Sequence, residues 1–517
     1  MRMKTAVGWM LCGAGMAAAE QTTVNEVSQY GITWTFDRPV VAGRFVNGDW
    51  WVVGPVTVTA VSPAPGPASE DERIDTPRNR WGDTSLRNDR RMRNGSMVVI
   101  VPSGRHGYDS RSAAYDPKLS VAFPRRLEPG ESLISTISHP SLPVDNFAHR
   151  ILWENEKRCE CLLKTAAILT VLDAPPPPNA FRPSYVKSAP RALYTADRLR
   201  RDRLLRLPAP EVPADAYTSA YRLRLPDDWA QMERYFERPW LEHVTSWIQQ
   251  QLNPSENQPN YGREHGRLVS MASLLLHLDV PPERKEKLLI GLVQYGLDIS
   301  ALAKAGVSWN WGGGHTSGRK WPMVFASLML DDPVIRQVPD TVAFHEDAQT
   351  YYGTGWHGQT ALYWMVEHHG PRARYEEKRP EQWDTWDQSS ESYRLCCNAV
   401  AWVGTALSAR LMGALPAWNH DVFFDYCDRW MQPDDPYAAD RAPHRRPPQE
   451  GKTFDPFVDA MWRAYRARAP EQPRAGNPRM FVWRKSGDWA WVPNPPPDAQ
   501  AVRRHVQAIR AMRVKTP

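Results

Sequence analysis

Apolar residues change rhythm once along this chain, between Leu172 and Asp227, and the change separates a strand-forming part from a helix-forming part. From Gly31 onward, Ile32-Thr33-Trp34-Thr35-Phe36 and the stretch Arg44 to Thr59 are β-branched and aromatic runs, cut by Asn47-Gly48-Asp49 and Gly54-Pro55. Such runs predict strands joined by tight turns, because branched and aromatic side chains suit a pleated surface while Asn, Gly and Pro suit the turns. Runs at Met97 to Val101, Leu119 to Phe123, Ser132 to Ile137 and Leu162 to Leu172 continue the pattern. The expected unit is an antiparallel β-sandwich-like domain, with the polar, Arg-rich stretch Pro63 to Asn94 as an excursion from it.

Beyond Asp227, apolar positions recur at three and four in Gly266 to Leu278, Lys285 to Leu302, Met323 to Leu330, Trp356 to His368, Ala399 to Met412 and Asp455 to Tyr465. That spacing gives each segment one apolar helical face. Pro281-Pro282 opens the second as a helix-starting proline does, and Gly413 follows the fifth as a terminal glycine does. Serial helices joined by uneven, aromatic loops predict an α/α toroid-like array, so the fold class is multidomain α+β. The predicted order is a signal peptide at 1–19, a β-rich domain at 20–173, a Pro/Arg-rich linker at 174–226 with a short helical piece from Thr195 to Leu207, a helical catalytic domain at 227–470, and a hairpin and tail at 471–517. The hairpin pairs Phe481-Val482-Trp483 with Trp489-Ala490-Trp491-Val492.

The amino-terminal residues alter the picture by placing the protein outside the cytoplasm. Arg2 and Lys4 precede an apolar run from Thr5 to Met16 and then Ala17-Ala18-Ala19, the pattern of a secretory signal cleaved after Ala19. The mature chain is expected to be secreted or periplasmic, and no later stretch reaches the roughly 20 apolar residues of a membrane span. Cys12 sits where a lipidated cysteine would, although the preceding Trp9-Met10-Leu11 lacks the small residues such a site wants, and lipidation there is the minor alternative. Loss of Cys12 leaves five of 6 cysteines, so at least one thiol stays unpaired or pairs between chains. Cys159 with Cys161, and Cys396 with Cys397, read as disulfides or buried thiols, since no zinc-site spacing is present. Net charge is +6, or +4 once Arg2 and Lys4 leave, and the cations are spread among acids, which speaks against nucleic acid. The 23 tryptophans favour carbohydrate, because an indole face stacks on the apolar face of a sugar ring.

Candidate chemistry gathers in four loops. Trp309-Asn310-Trp311-Gly312-Gly313-Gly314-His315-Thr316-Ser317-Gly318-Arg319-Lys320 combines indoles, an amide, an imidazole and two cations on a glycine-rich backbone, a set that suits a sugar bearing a carboxylate. Tyr261, Arg263, His265 and Arg267 begin a helix, with Tyr261 and His265 four apart on one face. Tyr351-Tyr352-Gly353 to Trp356-His357 offers a second phenol and imidazole ahead of a helix. Asp384, Asp387 and Glu391 are the carboxylates that glycoside hydrolysis would use, or else they cap a helix start. The plain alternatives for the other loops are a surface turn with His315 capping, a packed Tyr261, and an aromatic corner at Tyr351 to Trp356.

This combination of a secretion signal, a β-domain, a helical array and loops bearing Asn, His, Tyr, Arg and Lys resembles the helical-toroid polysaccharide lyases, the group that includes alginate and heparin lyases. The resemblance covers residues 227 to 470, and it differs in that those families place their β-sheets after the toroid. It implies β-elimination on a uronate-containing polysaccharide or oligosaccharide, with His315 or Tyr352 as base and acid. It also implies Asn310, Arg319 and Lys320 as carboxylate neutralisers, with Tyr261, His265, Arg263, Trp309, Trp311, Trp356 and His357 completing the cleft. No cofactor is called for, a divalent cation being the one optional helper, and neither nucleic acid nor a membrane is an expected partner. The alternatives are a glycoside hydrolase on the same scaffold and a non-catalytic glycan-binding protein.

Overall fold

The computed structural model describes residues 21–70, 86–100, 102–140, 161–187, 193–213, 223–246, 248–259, 261–310, 312–365, 374–432, 453–484, 486 and 488–511. The expected signal segment at 1–19, Cys12, Cys159 and Trp311 lie outside the described residues.

Strands β1 (Thr22–Gln29), β2 (Ile32–Arg44), β3 (Trp50–Val53), β4 (Val56–Ser62), β5 (Ser96–Val98), β6 (Arg125–Leu127), β7 (Ser132–Ser138) and β8 (Leu163–Leu172) join one curled mixed sheet. Its order is β5-β7-β8-β3-β2-β4-β6, with β1 also on β2. The expectation of purely antiparallel pairing fails at β3 and β8, which run parallel with Trp50 opposite Leu169, because β8 arrives from a distant segment rather than through a hairpin. Leu119 to Phe123 forms no strand; Pro117–Leu119 is a 3-10 turn capped by the Asp116 side chain. Alternation along β7 and β8 sends neighbouring residues to different cores. Leu133, Leu169 and Val171 pack with Trp34, Val52 and Val58, while Ile134, Ala166 and Ile168 turn toward the helices.

The helices are α1 (Trp229–Phe236), α2 (Gln249–Leu252), α3 (Gly262–Leu276), α4 (Pro282–Lys304), α5 (Lys320–Met329), α6 (His345–Ala348), α7 (Thr385–Tyr393), α8 (Ala399–Leu411), α9 (Leu415–Trp418), α10 (Asp421–Trp430), α11 (Pro456–Tyr465) and α12 (Ala499–Ala511). Among the described residues no helix is long and apolar enough to cross a membrane. Pro282 is the first residue of α4, and Gly413, at φ +70°, follows α8, as their sequence positions require. Among the described residues 356–365 the helix expected from Trp356 to His368 does not form. Instead β9 (Thr350–Tyr352) and β10 (Ala361–Tyr363) pair antiparallel around a glycine-rich loop, closed where Gly353 N–H donates to Thr360 O at 3.0 Å. At the carboxyl end β11 (Arg479–Trp483) pairs antiparallel with β12 (Trp489–Pro493), setting Trp483 opposite Trp489, and α12 follows.

Sheet and helices share a core. Phe181, Tyr185 and Val186, from the Pro-rich stretch between them, are buried in the same cluster as α3, α4 and α8. Arg182 donates to Asp49 at 2.6 Å and to Asp298 of α4 at 2.5 Å, so one buried guanidinium ties the sheet's β2–β3 loop to the helical layer.

Candidate functional site

The glycine-rich loop lies between Trp309 and the start of α5, pressed against the first turns of α3. A Cβ on Gly262 would fall 2.0 Å from His315 O, and a Cβ on Gly318, at φ +87°, would fall 2.5 Å from Gly266 N. Its glycines therefore let two backbones meet, a role only the absent side chain permits. Behind the loop, α6 grips it with three consecutive side chains. His345 Nδ1 lies 3.3 Å from Thr316 Oγ1, Glu346 Oε1 accepts from Gly318 N–H at 2.6 Å, and Asp347 pairs with Lys320. Thr316 Oγ1 donates to Trp309 O at 2.8 Å, and Trp402 Nε1 donates to Ser317 Oγ at 3.1 Å.

On the loop's open side Tyr261 and His315 meet edge to face at 5.3 Å, both partly exposed. Gly314 N–H donates to Tyr261 Oη at 2.9 Å. A backbone donor aimed at that oxygen stabilises negative charge developing there. Asn310 is also half-buried in this loop. Beneath Gly314 lies a five-residue π-helical segment, Arg394–Asn398, which joins α7 to α8 and contains a disulfide between the adjacent Cys396 and Cys397. Such π segments interrupt helices frequently at functional sites. Asn398, at its end, places Oδ1 2.8 Å from His345 Nε2 and donates to Tyr363 Oη at 2.6 Å.

Other sequence candidates serve the interior. Arg319 holds Glu242 through two contacts of 3.1 Å, and Gln249, Gln258 and Tyr295 donate to the same carboxylate. Burial alone would raise Glu242, but Arg319 and His265 outweigh it and hold the carboxyl down to about 2. His265 turns away from Tyr261 and is fully buried, with Nε2 donating to Pro259 O at 2.7 Å and Nδ1 3.3 Å from Glu242. Burial, reinforced by Arg319, lowers its imidazole to about 4, so it is neutral at pH 7. Tyr261 and His265 part company because Tyr261 is the extended residue preceding α3, whereas His265 lies within the helix. Arg263 pairs with Glu264 and donates to Cys396 O at 3.0 Å. Lys320 is buried over the Trp418 ring at 4.8 Å, and burial lowers its amine below the usual value, with Asp347 opposing. Trp309 is wholly buried and stacks on Phe344 at 5.5 Å.

Tyr352 is on β9, where it donates to Asp425 at 2.7 Å and receives Arg474 at 3.2 Å. Burial first, then Asp425, pushes its phenol far above the usual value. Trp356 and His357 occupy the β9–β10 loop, with His357 exposed and its ring 4.3 Å from the indole. Asp384 and Asp387 form a reciprocal capping box on α7, Lys378 pairs with Asp387 at 2.7 Å, and Glu391 takes both Arg394 and Tyr375.

One residue that sequence reasoning missed stands out. Glu346 is buried, its Oε2 has no partner among the described residues, and burial pushes its carboxyl from 4.5 up to about 7, with Asp347 adding to the rise and Gly318 N–H and Lys320 opposing it. Three successive titratable residues, His345-Glu346-Asp347, were its only signal in the sequence. Cys427 is a buried free thiol on α10, and Cys161 is disulfide-bonded. Among the described residues no group of three or more His, Cys, Asp or Glu is arranged to hold a metal ion. No protein-family model, no curated protein and no solved structure matches this chain.

Proposed function

We propose that this chain is an exported polysaccharide lyase that cleaves a uronate-containing polysaccharide by β-elimination, with His315 and Tyr261 as its proton-transfer pair. The observation that carries the reading is their edge-to-face pairing at 5.3 Å on the partly exposed side of a backbone-braced loop. His315 takes the proton α to the uronate carboxylate, the electron pair moves in to form the double bond, and the bond to the glycosidic oxygen breaks. Tyr261 gives its proton to that departing oxygen. Asn310, half-buried in the same loop as His315, donates its amide N–H to the carboxylate as charge builds on it. Arg319 and Lys320 act at one remove, anchoring the loop through Glu242 and Asp347. On this reading the helical region is an α/α toroid-like array and the curled sheet a sandwich-like wall beside it. The packing of α3 on α8 and of α4 on α5 supports the first.

The test incubates the mature protein with a panel of uronate polysaccharides and follows ultraviolet absorbance of the unsaturated product. His315→Ala should abolish the signal, with the far-ultraviolet circular dichroism unchanged. New reducing ends without absorbance would replace elimination by hydrolysis, and binding without either product would leave a glycan-binding role.

A further inference from the structure

We infer that the Cys396–Cys397 disulfide is a reducible support for the Tyr261–His315 pair, and that a dithiol reductant loosens the loop carrying it. Both elements that supply the pair rest on this disulfide segment. Arg263, two residues after Tyr261, donates to Cys396 O at 3.0 Å. Gly314, next to His315, has no room above Cys397: a Cβ there would fall 2.9 Å from Cys397 Cβ, 3.0 Å from Cys397 O and 2.9 Å from Tyr261 Oη. Both cysteines are buried, at 1% and 2% exposure.

Reduction converts one bonded pair of sulfurs into two non-bonded thiols. Bonded sulfurs stand about 2.0 Å apart, whereas non-bonded heavy atoms keep about 3.5 Å or more. Gly314, which has no room above Cys397, is the neighbour that gives way, because the backbone beneath is held by Arg263 and, through Asn398, by His345, and Gly314 carries Tyr261 with it through its N–H. In the chemical step, taken when local opening of the loop exposes the buried bond, a thiolate of the dithiol attacks one sulfur, the S–S bond breaks, and its electron pair leaves on the other sulfur, which takes a proton. The second thiol of the reductant then displaces the mixed disulfide, leaving Cys396 and Cys397 as two thiols and the reductant as its cyclic disulfide. Cys427 takes no part, since burial pushes its thiol well above the usual value.

The effect on turnover rests on the proposed lyase site; the effect on the loop does not. Mature protein, before and after dithiothreitol under native conditions, is acid-quenched, unfolded, alkylated and mapped by peptide mass spectrometry. In parallel, amide hydrogen exchange is followed across residues 312–318. The expected result is that Cys396 and Cys397 resist alkylation until reduced, and that loop exchange then speeds up by about tenfold or more. The double variant Cys396→Ala, Cys397→Ala should show the fast loop without reductant and no further response to it. A response persisting in that variant would belong to the disulfide at Cys161 and would overturn the inference. So would alkylation of both cysteines before reduction, or loop exchange indifferent to it. A loop that loosens in a protein with no lyase activity on any uronate polymer would refute the site reading and leave the reducible support standing.

Discussion

Replacing Glu346 by Gln should remove a defined slice of the protein's pH-dependent stability. In the native state burial raises this carboxyl from 4.5 to about 7, while in the unfolded chain it returns to its ordinary value. Between those limits the native state binds the extra proton, so stability falls as pH rises through the window and is level below and above it. At ~1.36 kcal/mol per tenfold change in proton affinity, the whole window is worth about 3 kcal/mol, of which about 2.5 kcal/mol falls between about pH 5 and about pH 8. At 1% exposure, solvent screening takes little from this figure. Gln keeps an oxygen for Gly318 N–H but carries no titratable proton. Its amide N–H, with no acceptor shown at Oε2, adds a cost of about 1–3 kcal/mol at both pH values, which cancels in the comparison. Urea unfolding of both proteins at the two pH values measures the difference, since every other titrating group is common to them. Lys320, Asp347 and the Cys427 thiol are the charged or titratable groups that act on Glu346 or feel it, and Gln alters none of them directly. Parallel pH dependences in wild type and variant would refute the argument, because Glu346 would then ionise in the native state as it does in the unfolded chain.

Two further outcomes separate anchoring roles from catalytic ones. Arg319→Met leaves the buried Glu242 carboxylate without its guanidinium and should cost about 3–5 kcal/mol in urea unfolding; a loss below about 1 kcal/mol would mean that Gln249, Gln258 and Tyr295 suffice to hold the charge. Asp384→Ala removes the capping box of α7 and should cost about 1 kcal/mol while leaving turnover unchanged; abolished turnover with the fold intact would instead give this acid a chemical role.

Helices α3, α4, α5, α8 and α11 were legible because each carries a periodic apolar face, and periodicity is a local property of the chain. The parallel β3–β8 pair was not, because nothing in either strand's composition names a partner so far along the chain. At β9 and β10 the signal itself misled. Ala361 to Met365 is an unbroken apolar run, which a buried strand and a buried helix share, and the deciding contact is Gly353 N–H with Thr360 O across the loop.

The site was legible in its glycines and opaque in its charges, for one physical reason. A glycine-rich stretch announces close backbone approach without saying whether a ligand or a helix approaches; here it is α3 that does. A cation announces charge without naming its counter-ion, and the acids that hold Arg319 and Lys320 lie 77 and 27 residues away in the chain. Successive side chains on a helix diverge by about 100°, so a loop held by His345, Glu346 and Asp347 in turn must wrap the end of α6. The loop's shape is then set by the helix it wraps as much as by its own residues. A change at α6 therefore reaches His315 through Thr316 and Gly318, and loop residues alone do not determine where the imidazole meets Tyr261.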